Sequence, residues 1–354
     1  MWNPDSGIFI LNEILGKVKL DEGLVKENNK VLRDFLDTFV PKMKEVDKVF
    51  DWLYREPYYT GSFYSDLRIS QPDEFDINLI IDMPFKNGEF SITSQLNEPN
   101  FVKYQSDVPK SGHGGTVLFE NSYLISDLAR AWFQSIIDRA LESYNRPSTI
   151  KRVLVRQSGP ARTLTLVKNN NAKIDVDLVP VIGCTLNMSR ISLDRRVEAK
   201  VGRNLQAFLV PKPPNPLSAE ARLMWRCHSP KPEEDIMYNV GCAKSVIKLL
   251  KLLRDKEKWS ILASYYLKTV VMWMIIENSG TSDFWKENHI VERFFEALEK
   301  LAECVGRKKI PYIFNTDCNL IEKIGHQEAY DISNRLNSFI RNINRDRNYL
   351  RRIF

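Results

Sequence analysis

The sequence predicts an α+β protein of two lobes, a mixed α and β first part followed by an α-helical second part. Three observations carry this prediction. Period-two alternation is concentrated in the first part, helical periodicity dominates the rest, and a proline-rich stretch, Pro211-Lys212-Pro213-Pro214-Asn215-Pro216, stands between them. The expected division is therefore 1–210 for the mixed lobe, including a long N-terminal helix, and 211–354 for the helical lobe. A length of 354 residues agrees with this, at roughly 150 residues per domain.

Taken in order, residues 22–54 place Leu24, Val31, Leu32, Phe35, Phe39, Met43, Val46, Val49, Phe50 and Leu53 on one helical stripe, and Pro41 is expected to kink or divide the helix. Lys26, Lys30 and Arg33 share its exposed face with Glu27, Asp34 and Asp37 close by, so this helix reads as scaffold. After Gly61-Ser62, residues Glu74 to Asp82 alternate polar and apolar before Pro84, which predicts a strand. Asn87-Gly88 is a hairpin-turn signal. Leu124, Leu128, Trp132, Ile136 and Leu141 return to helical spacing over 120–144. Arg162–Val167 and Lys173–Pro180 then flank Asn169-Asn170-Asn171 and predict a second hairpin. Further helices are expected near 240–255, 259–278, 286–305 and 329–348.

A hydrophobic fraction of 43% with 11% aromatics excludes disorder for most of the chain, because it offsets the conformational entropy lost on folding. The N-terminus lacks the basic and apolar regions of a signal peptide, so the protein is expected to stay in the cytoplasm where it is made. The longest apolar stretch, Ile261 to Ile276, is interrupted by Ser264 and Lys268 and falls short of the ~20 residues that cross a bilayer. It predicts a buried helix. Five cysteines, Cys184, Cys227, Cys242, Cys304 and Cys318, form no CxxC pair and have no histidine at ligand spacing, which predicts free thiols and no structural zinc.

The net charge of +6 is modest, but bases cluster. Seven lie between Asn145 and Ile174 with no acid, seven between 241 and 268 against two acids, and five arginines occupy the last sixteen residues. Each cluster alone reads equally well as solvated surface. Together they are expected to form a face that attracts a polyanion.

In a strand, side chains at i and i+2 share a face, so Glu74 and Asp76 present two carboxylates together beside Asn78. A third acid from a neighbouring strand, Asp175 or Asp177, would complete a cluster that repels itself unless cations neutralise it. Two divalent cations ~3.5–4 Å apart serve this purpose and activate an attacking hydroxyl while holding a leaving pyrophosphate. Mg²⁺ or Mn²⁺ suits an all-oxygen site that also takes substrate phosphates. Gly61-Ser62 upstream would cradle the triphosphate, since glycine lets backbone approach phosphate closely. The combination predicts nucleotidyl transfer.

Gly61-Ser62-Phe63-Tyr64 followed by Ile69-Ser70-Gln71-Pro72-Asp73-Glu74-Phe75-Asp76 resembles the active-site opening of cyclic GMP-AMP synthase and the animal cGAS-like receptors. Ser158-Gly159-Pro160-Ala161, Ile174-Asp175-Val176-Asp177-Leu178, Leu209-Val210-Pro211-Lys212, Trp225-Arg226 and Ser264-Tyr265-Tyr266-Leu267-Lys268-Thr269 follow in family order, so the likeness spans about 58 to 350. It implies a bilobal nucleotidyltransferase fold with a twisted mixed sheet and a long spine helix. It also implies that Glu74, Asp76 and Asp177 are the catalytic metal ligands, with Asp175 as the alternative third. By the same resemblance Gly61 and Ser62 meet ATP phosphates, Asp177 also touches nucleotide, and Arg226 packs on the acceptor base. Lys251 and Ser264 contact ATP, and Tyr265 stacks on a base.

The interval His228 to Cys242 contains one histidine and one cysteine, so it departs from the zinc ribbon that grips DNA in the synthase. The zinc-less insect relatives respond to double-stranded RNA, which is read through phosphates and 2′-hydroxyls over a broad basic face. Arg156, Lys244 and Lys248 are the expected RNA contacts. The resemblance thus implies an RNA-activated enzyme that joins ATP and GTP into cyclic GMP-AMP, a second messenger of innate antiviral signalling read by a downstream cyclic-dinucleotide receptor. A catalytically silent binding module and a linear-oligonucleotide synthetase are the competing readings. Linkage isomer and dimer formation on the duplex stay open at this level.

Overall fold

The computed structural model describes residues 4–86, 88–95, 98–108, 118–158, 161–212, 214, 220–280 and 283–354. The chain begins with α1 (Pro4–Lys17), α2 (Glu22–Val46) and α3 (Lys48–Leu53). β1 (Tyr54–Thr60) runs directly into the short α4 (Gly61–Tyr64), and β2 (Glu74–Ile81), β3 (Ser91–Gln95), β4 (Glu98–Gln105), β5 (Phe119–Glu120) and β6 (Tyr123–Leu124) follow. After α5 (Ser126–Glu142) come β7 (Ile150–Ser158), β8 (Ala161–Lys168), the 15-residue β9 (Lys173–Asn187), α6 (Arg195–Val201), β10 (Asn204–Val210) and β11 (Met224–His228). The remainder is α7 (Pro230–Ile236), α8 (Ala243–Glu257), α9 (Ser264–Glu277), α10 (Ile290–Gly306), a small ribbon of β12 (Pro311–Tyr312) and β13 (Asn315–Asn319), α11 (His326–Arg345) and α12 (Leu350–Ile353).

β1 to β11 form one mixed sheet in the order β1-β2-β9-β10-β11-β4-β6-β5, with β3 on β4 and the β7–β8 hairpin on β9. The fold is α+β, as the sequence predicts. Two cores hold it together. One lies between the sheet and α2, α3 and α5, centred on Phe35, Phe39, Phe75, Phe133 and Trp225. The other joins α8 to α12 with α1, whose Ile10, Leu11 and Ile14 pack among them. Thus α1 from the N-terminus joins the helical core, while β11, beyond residue 211, pairs in the sheet. These two elements tie the proposed 1–210 and 211–354 lobes to each other.

Pro41 does not divide α2, which continues to Val46 and ends at Asp47. Asp37, whose carbonyl loses its helical donor to the proline, is exposed, while Phe39, Val40 and Met43 stay buried. The break at Asp47 has its own cause: its backbone is extended, and its carboxylate accepts from the N–H of Phe50, starting α3. The turn expected at Asn87-Gly88 involves Asn87, which lies outside the described residues; Glu89 N–H bonds Lys86 O around Gly88 (φ +92°). It does not close a hairpin, because β2 pairs with β1 and β9 and not with β3. The hairpin around Asn169-Asn170-Asn171 forms as β8 and β9. The Gly159-Pro160 landmark lies outside the described residues. Among the described residues no helix is long and apolar enough to cross a membrane.

Candidate active site

The site grows from the way β1, β2 and β9 lie side by side. Thr60 ends β1 opposite Asp76, so the chain turns into α4 directly above that carboxylate. Gly61 makes the turn at φ +81°, and a Cβ there would stand 1.8 Å from Asp76 Oδ2, so only glycine fits. β2 and β9 run parallel in a register that sets Glu74 beside Asp175 and Asp76 beside Asp177. Four carboxylates therefore meet at one end of two neighbouring strands.

Their environments differ. Asp76 is pushed up to about 6, first by burial and then by the charges of Asp177 and Glu74, with Arg68 opposing. Asp177 is also raised by burial, although the Thr163 hydroxyl donates to its Oδ1 and lowers it again. Asp175 is fully engaged: Thr165 Oγ1 donates to Oδ1 at 2.6 Å and Arg156 Nη2 to Oδ2 at 2.7 Å. Of the two candidates for a third ligand, Asp177 is the one with an oxygen to spare. Glu74 is held by Arg68, whose Nη1 reaches its Oε2 at 2.9 Å. Arg68 is only 8% exposed and also grips Asp73 Oδ1 and the Gln71 carbonyl, so it shapes the whole turn between α4 and β2.

The donor set fits a hard divalent cation. Glu74, Asp76 and Asp177 offer oxygen only, and burial with mutual repulsion leaves Asp76 unrelieved by any hydrogen bond among the described residues. Among the described residues no group of three or more His, Cys, Asp or Glu stands ready to hold a metal ion. Mg²⁺ is usually held by only a few carboxylates together with substrate phosphates, so a bound triphosphate would have to supply the remaining oxygens.

From Asp76 a cleft of about 870 Å³ runs between the sheet and the helical lobe. It gathers Gly61, Ser62, Asp76, Arg226, Lys251, Ser264 and Tyr265, and Lys244 joins them. Trp225 donates from its indole to Leu124 O at 2.9 Å and anchors β11, which carries Arg226 into the cleft. Lys251, lowered to about 8 by burial and the nearby Arg254, donates to the Leu67 carbonyl just beyond α4. Ser264 opens α9 and accepts from Arg254 Nη1 at 2.8 Å. Tyr265 donates to Glu233 at 2.8 Å, and burial raises its phenol. Glu74 and Asp177 adjoin Asp76 through strand pairing and lie outside the cleft lining itself. Arg156 and Lys248 lie outside the lining too. Arg156 pairs with Asp175, and Lys248 with Asp66 at 2.7 Å.

Several residues that shape this site escaped sequence reasoning. Glu233 is 2% exposed and accepts from both Tyr265 and Lys268, yet Pro230-Lys231-Pro232-Glu233-Glu234 reads as charged surface. Lys212, lowered by burial and by Arg226, lines the cleft. Thr163 was legible in principle, because Arg162-Thr-Leu-Thr-Leu alternates and the hairpin register sets Thr163 opposite Asp177. Arg68 carried no pattern that distinguished it from a surface base.

Comparison with known proteins agrees with this geometry. Residues 63–239 match the Mab-21 protein nucleotidyltransferase domain, and residues 242–338 match the Mab-21 protein HhH/H2TH-like domain. The chain is similar to a cyclic GMP-AMP synthase-like receptor of Ctenocephalides felis, 29% identical over 84% of this chain and 75% of the relative. It is likewise similar to receptors of the same name from Aethina tumida, at 27% over 88% of this chain and 81% of the relative, and from Microplitis demolitor, at 27% over 93% and 64%.

Proposed function

This chain belongs to the Mab-21 nucleotidyltransferase family and is similar to cyclic GMP-AMP synthase-like receptors over most of its length, and from that premise we propose that it joins ATP and GTP into a cyclic dinucleotide when double-stranded RNA binds. The observation that carries the proposal is the strand register that sets Asp76 beside Asp177 and opposite Thr60, just before Gly61-Ser62, where Asp76, Gly61 and Ser62 line a cleft shared with Arg226, Lys251 and Tyr265.

In this reading Glu74, Asp76 and Asp177 would hold two Mg²⁺ or Mn²⁺ ions, which polarise a ribose hydroxyl and neutralise charge on the α-phosphate as pyrophosphate leaves. Gly61 and Ser62 seat the triphosphate, and Lys251 and Ser264 face it from the helical lobe. Arg226 and Tyr265 offer flat cationic and aromatic surfaces on which purine bases stack. Positioning and charge neutralisation supply most of the rate in phosphoryl transfer, and the residues present serve those two ends. Lys244 and Lys248, one turn apart on α8, and Arg156 on β7 are assigned to the RNA backbone. Lys248 and Lys251 both hold the turn after α4, so in this reading the same helix reaches duplex and active site.

The test is incubation of purified protein with labelled ATP and GTP, Mg²⁺ or Mn²⁺, and either no nucleic acid, duplex DNA or duplex RNA. A phosphatase-resistant dinucleotide formed only with duplex RNA is the expected product. A ladder of linear products would make the protein an oligonucleotide synthetase, and no product from folded protein would make it a binding module.

Two further outcomes follow from the site. Thr163→Val removes the hydroxyl that orients Asp177 without changing side-chain volume much, and is expected to weaken Mn²⁺ binding by about 10–100-fold while Thr163→Ser retains it. Titration of Mn²⁺ followed by electron paramagnetic resonance reads this directly. RNA affinity is expected to fall steeply with salt, by about a thousandfold between 50 and 200 mM, because each phosphate neutralised by lysine or arginine releases counterions. A flat response in a filter-binding assay would argue against the basic face.

A further inference from the structure

Asn78 sits on β2 two residues beyond Asp76, on the same face of the strand and about 6.6 Å along it, and lines the same cleft. Its neighbours in the sheet are Tyr58 on β1 and Val179 on β9. It is 5% exposed, and among the described residues its Nδ2 is buried without a hydrogen-bond partner. The nearest strand neighbour with a polar group is otherwise committed, since the Tyr58 hydroxyl donates to Glu234 at 2.8 Å. An unpaired buried amide costs free energy and calls for a partner, which a ligand or an ordered water can supply.

We propose that Asn78 reads a purine base in the cleft and favours adenine. This inference rests on the nucleotidyltransferase reading of the cleft and adds a determinant of nucleotide choice to it. The position is right for a base and wrong for a triphosphate. Phosphates are drawn to Gly61 and Ser62 beyond Thr60, which faces Asp76, whereas Asn78 faces Tyr58 and so lies on the other side of Asp76 from them. The chemistry is specific as well. A carboxamide carries a donor and an acceptor side by side and pairs with the N7 and N6 edge of adenine, whereas guanine presents two acceptors on the same edge. A hydrogen bond to an uncharged group is worth about 0.5–1.5 kcal/mol net, which corresponds to roughly a three- to tenfold change in affinity.

The experiment compares Asn78→Leu and Asn78→Ala with the wild type by equilibrium dialysis of labelled ATP and labelled GTP separately, with Mn²⁺ present, alongside thermal melting and product synthesis. The expected result is that Kd for ATP rises about three- to tenfold in both variants and Kd for GTP changes less than about twofold. The Leu variant is expected to melt at or above the wild-type temperature, since an unpaired buried amide is gone. Equal loss of ATP and GTP binding, a selective loss of GTP, or no change in either would overturn the proposal. So would a marked drop in melting temperature with nucleotide affinities intact, because Asn78 would then be a structural residue completed by a buried water. Failure of the underlying reading looks different: wild-type protein that binds ATP and GTP but synthesises no dinucleotide removes the cyclase assignment and leaves the Asn78 comparison readable. Wild-type protein that binds neither nucleotide overturns both.

Discussion

Asp76→Asn is expected to abolish dinucleotide synthesis, a loss of at least about a thousandfold, while the protein remains folded and binds duplex RNA as before. The size of the loss follows from removing charge that stabilises a phosphoryl-transfer transition state by several kcal/mol, each 1.4 kcal/mol being a factor of ten. The substitution also carries a stability signature. Burial and the carboxylates of Asp177 and Glu74 raise Asp76 from 3.8 to about 6, so the folded protein binds a proton there more tightly than the unfolded chain does. The stability this contributes is fully present below about pH 4 and is lost as pH rises through 6, which makes the ionised carboxylate a cost at neutral pH of at most about 3 kcal/mol. The asparagine variant lacks that cost. Without divalent ions it is expected to melt higher than the wild type at pH 8, and the gap should close as pH falls towards 4. The proton competes with the cations for this carboxylate, so at subsaturating divalent ion wild-type synthesis should decline as pH drops through 6. Melting curves at pH 4, 6 and 8 with a product assay check both limbs, and sustained synthesis by the variant would remove Asp76 from the chemistry.

Gly61→Ala is expected to cost about a hundredfold or more in synthesis with a smaller loss of stability. The left-handed φ of +81° penalises any side chain by roughly 1–2 kcal/mol. The second effect is local to the reaction. The new methyl would stand 1.8 Å from Oδ2 and 2.7 Å from Cγ of Asp76, so either α4 lifts away from the strand or the carboxylate turns out of place. Each alternative separates the phosphate cradle from the carboxylates. Gly16→Ala is the control, since a Cβ there meets nothing within 4 Å and the residue lies inside α1. Product assays on both variants at matched folded concentration, judged by melting curves, distinguish the two glycines. Full activity in Gly61→Ala would show that this close approach is dispensable.

Much of the site is legible because its parts are local. Acid-apolar-acid from Glu74 to Asp76 declares two carboxylates on one face wherever a strand forms, and Gly61-Ser62 declares a turn open to phosphate. Pro41 does not divide α2 for an equally physical reason: the carbonyl that loses its donor belongs to exposed Asp37, while Phe39, Val40 and Met43 stay buried on the other face. Lys251 and Tyr265 are not readable locally as site residues, because on an amphipathic or apolar helix they are indistinguishable from solvated or core residues. Resemblance singled them out, and packing of α8 and α9 against the turn after α4 places them in the cleft.

By itself, then, the sequence determined which functional groups the chain offers and on which faces of its strands and turns they stand, because side-chain alternation and glycine's backbone freedom are properties of a few adjacent residues. Only the tertiary structure decided among them. Among the described residues Asp175 is consumed by Thr165 and Arg156 whereas Asp177 keeps an oxygen free, Glu74 is steadied by Arg68, and Asn78 is left buried with an amide unpaired. Those distinctions depend on burial and on neighbours across strands up to about a hundred residues apart, and no local pattern encodes which donors will be close enough to claim an acceptor.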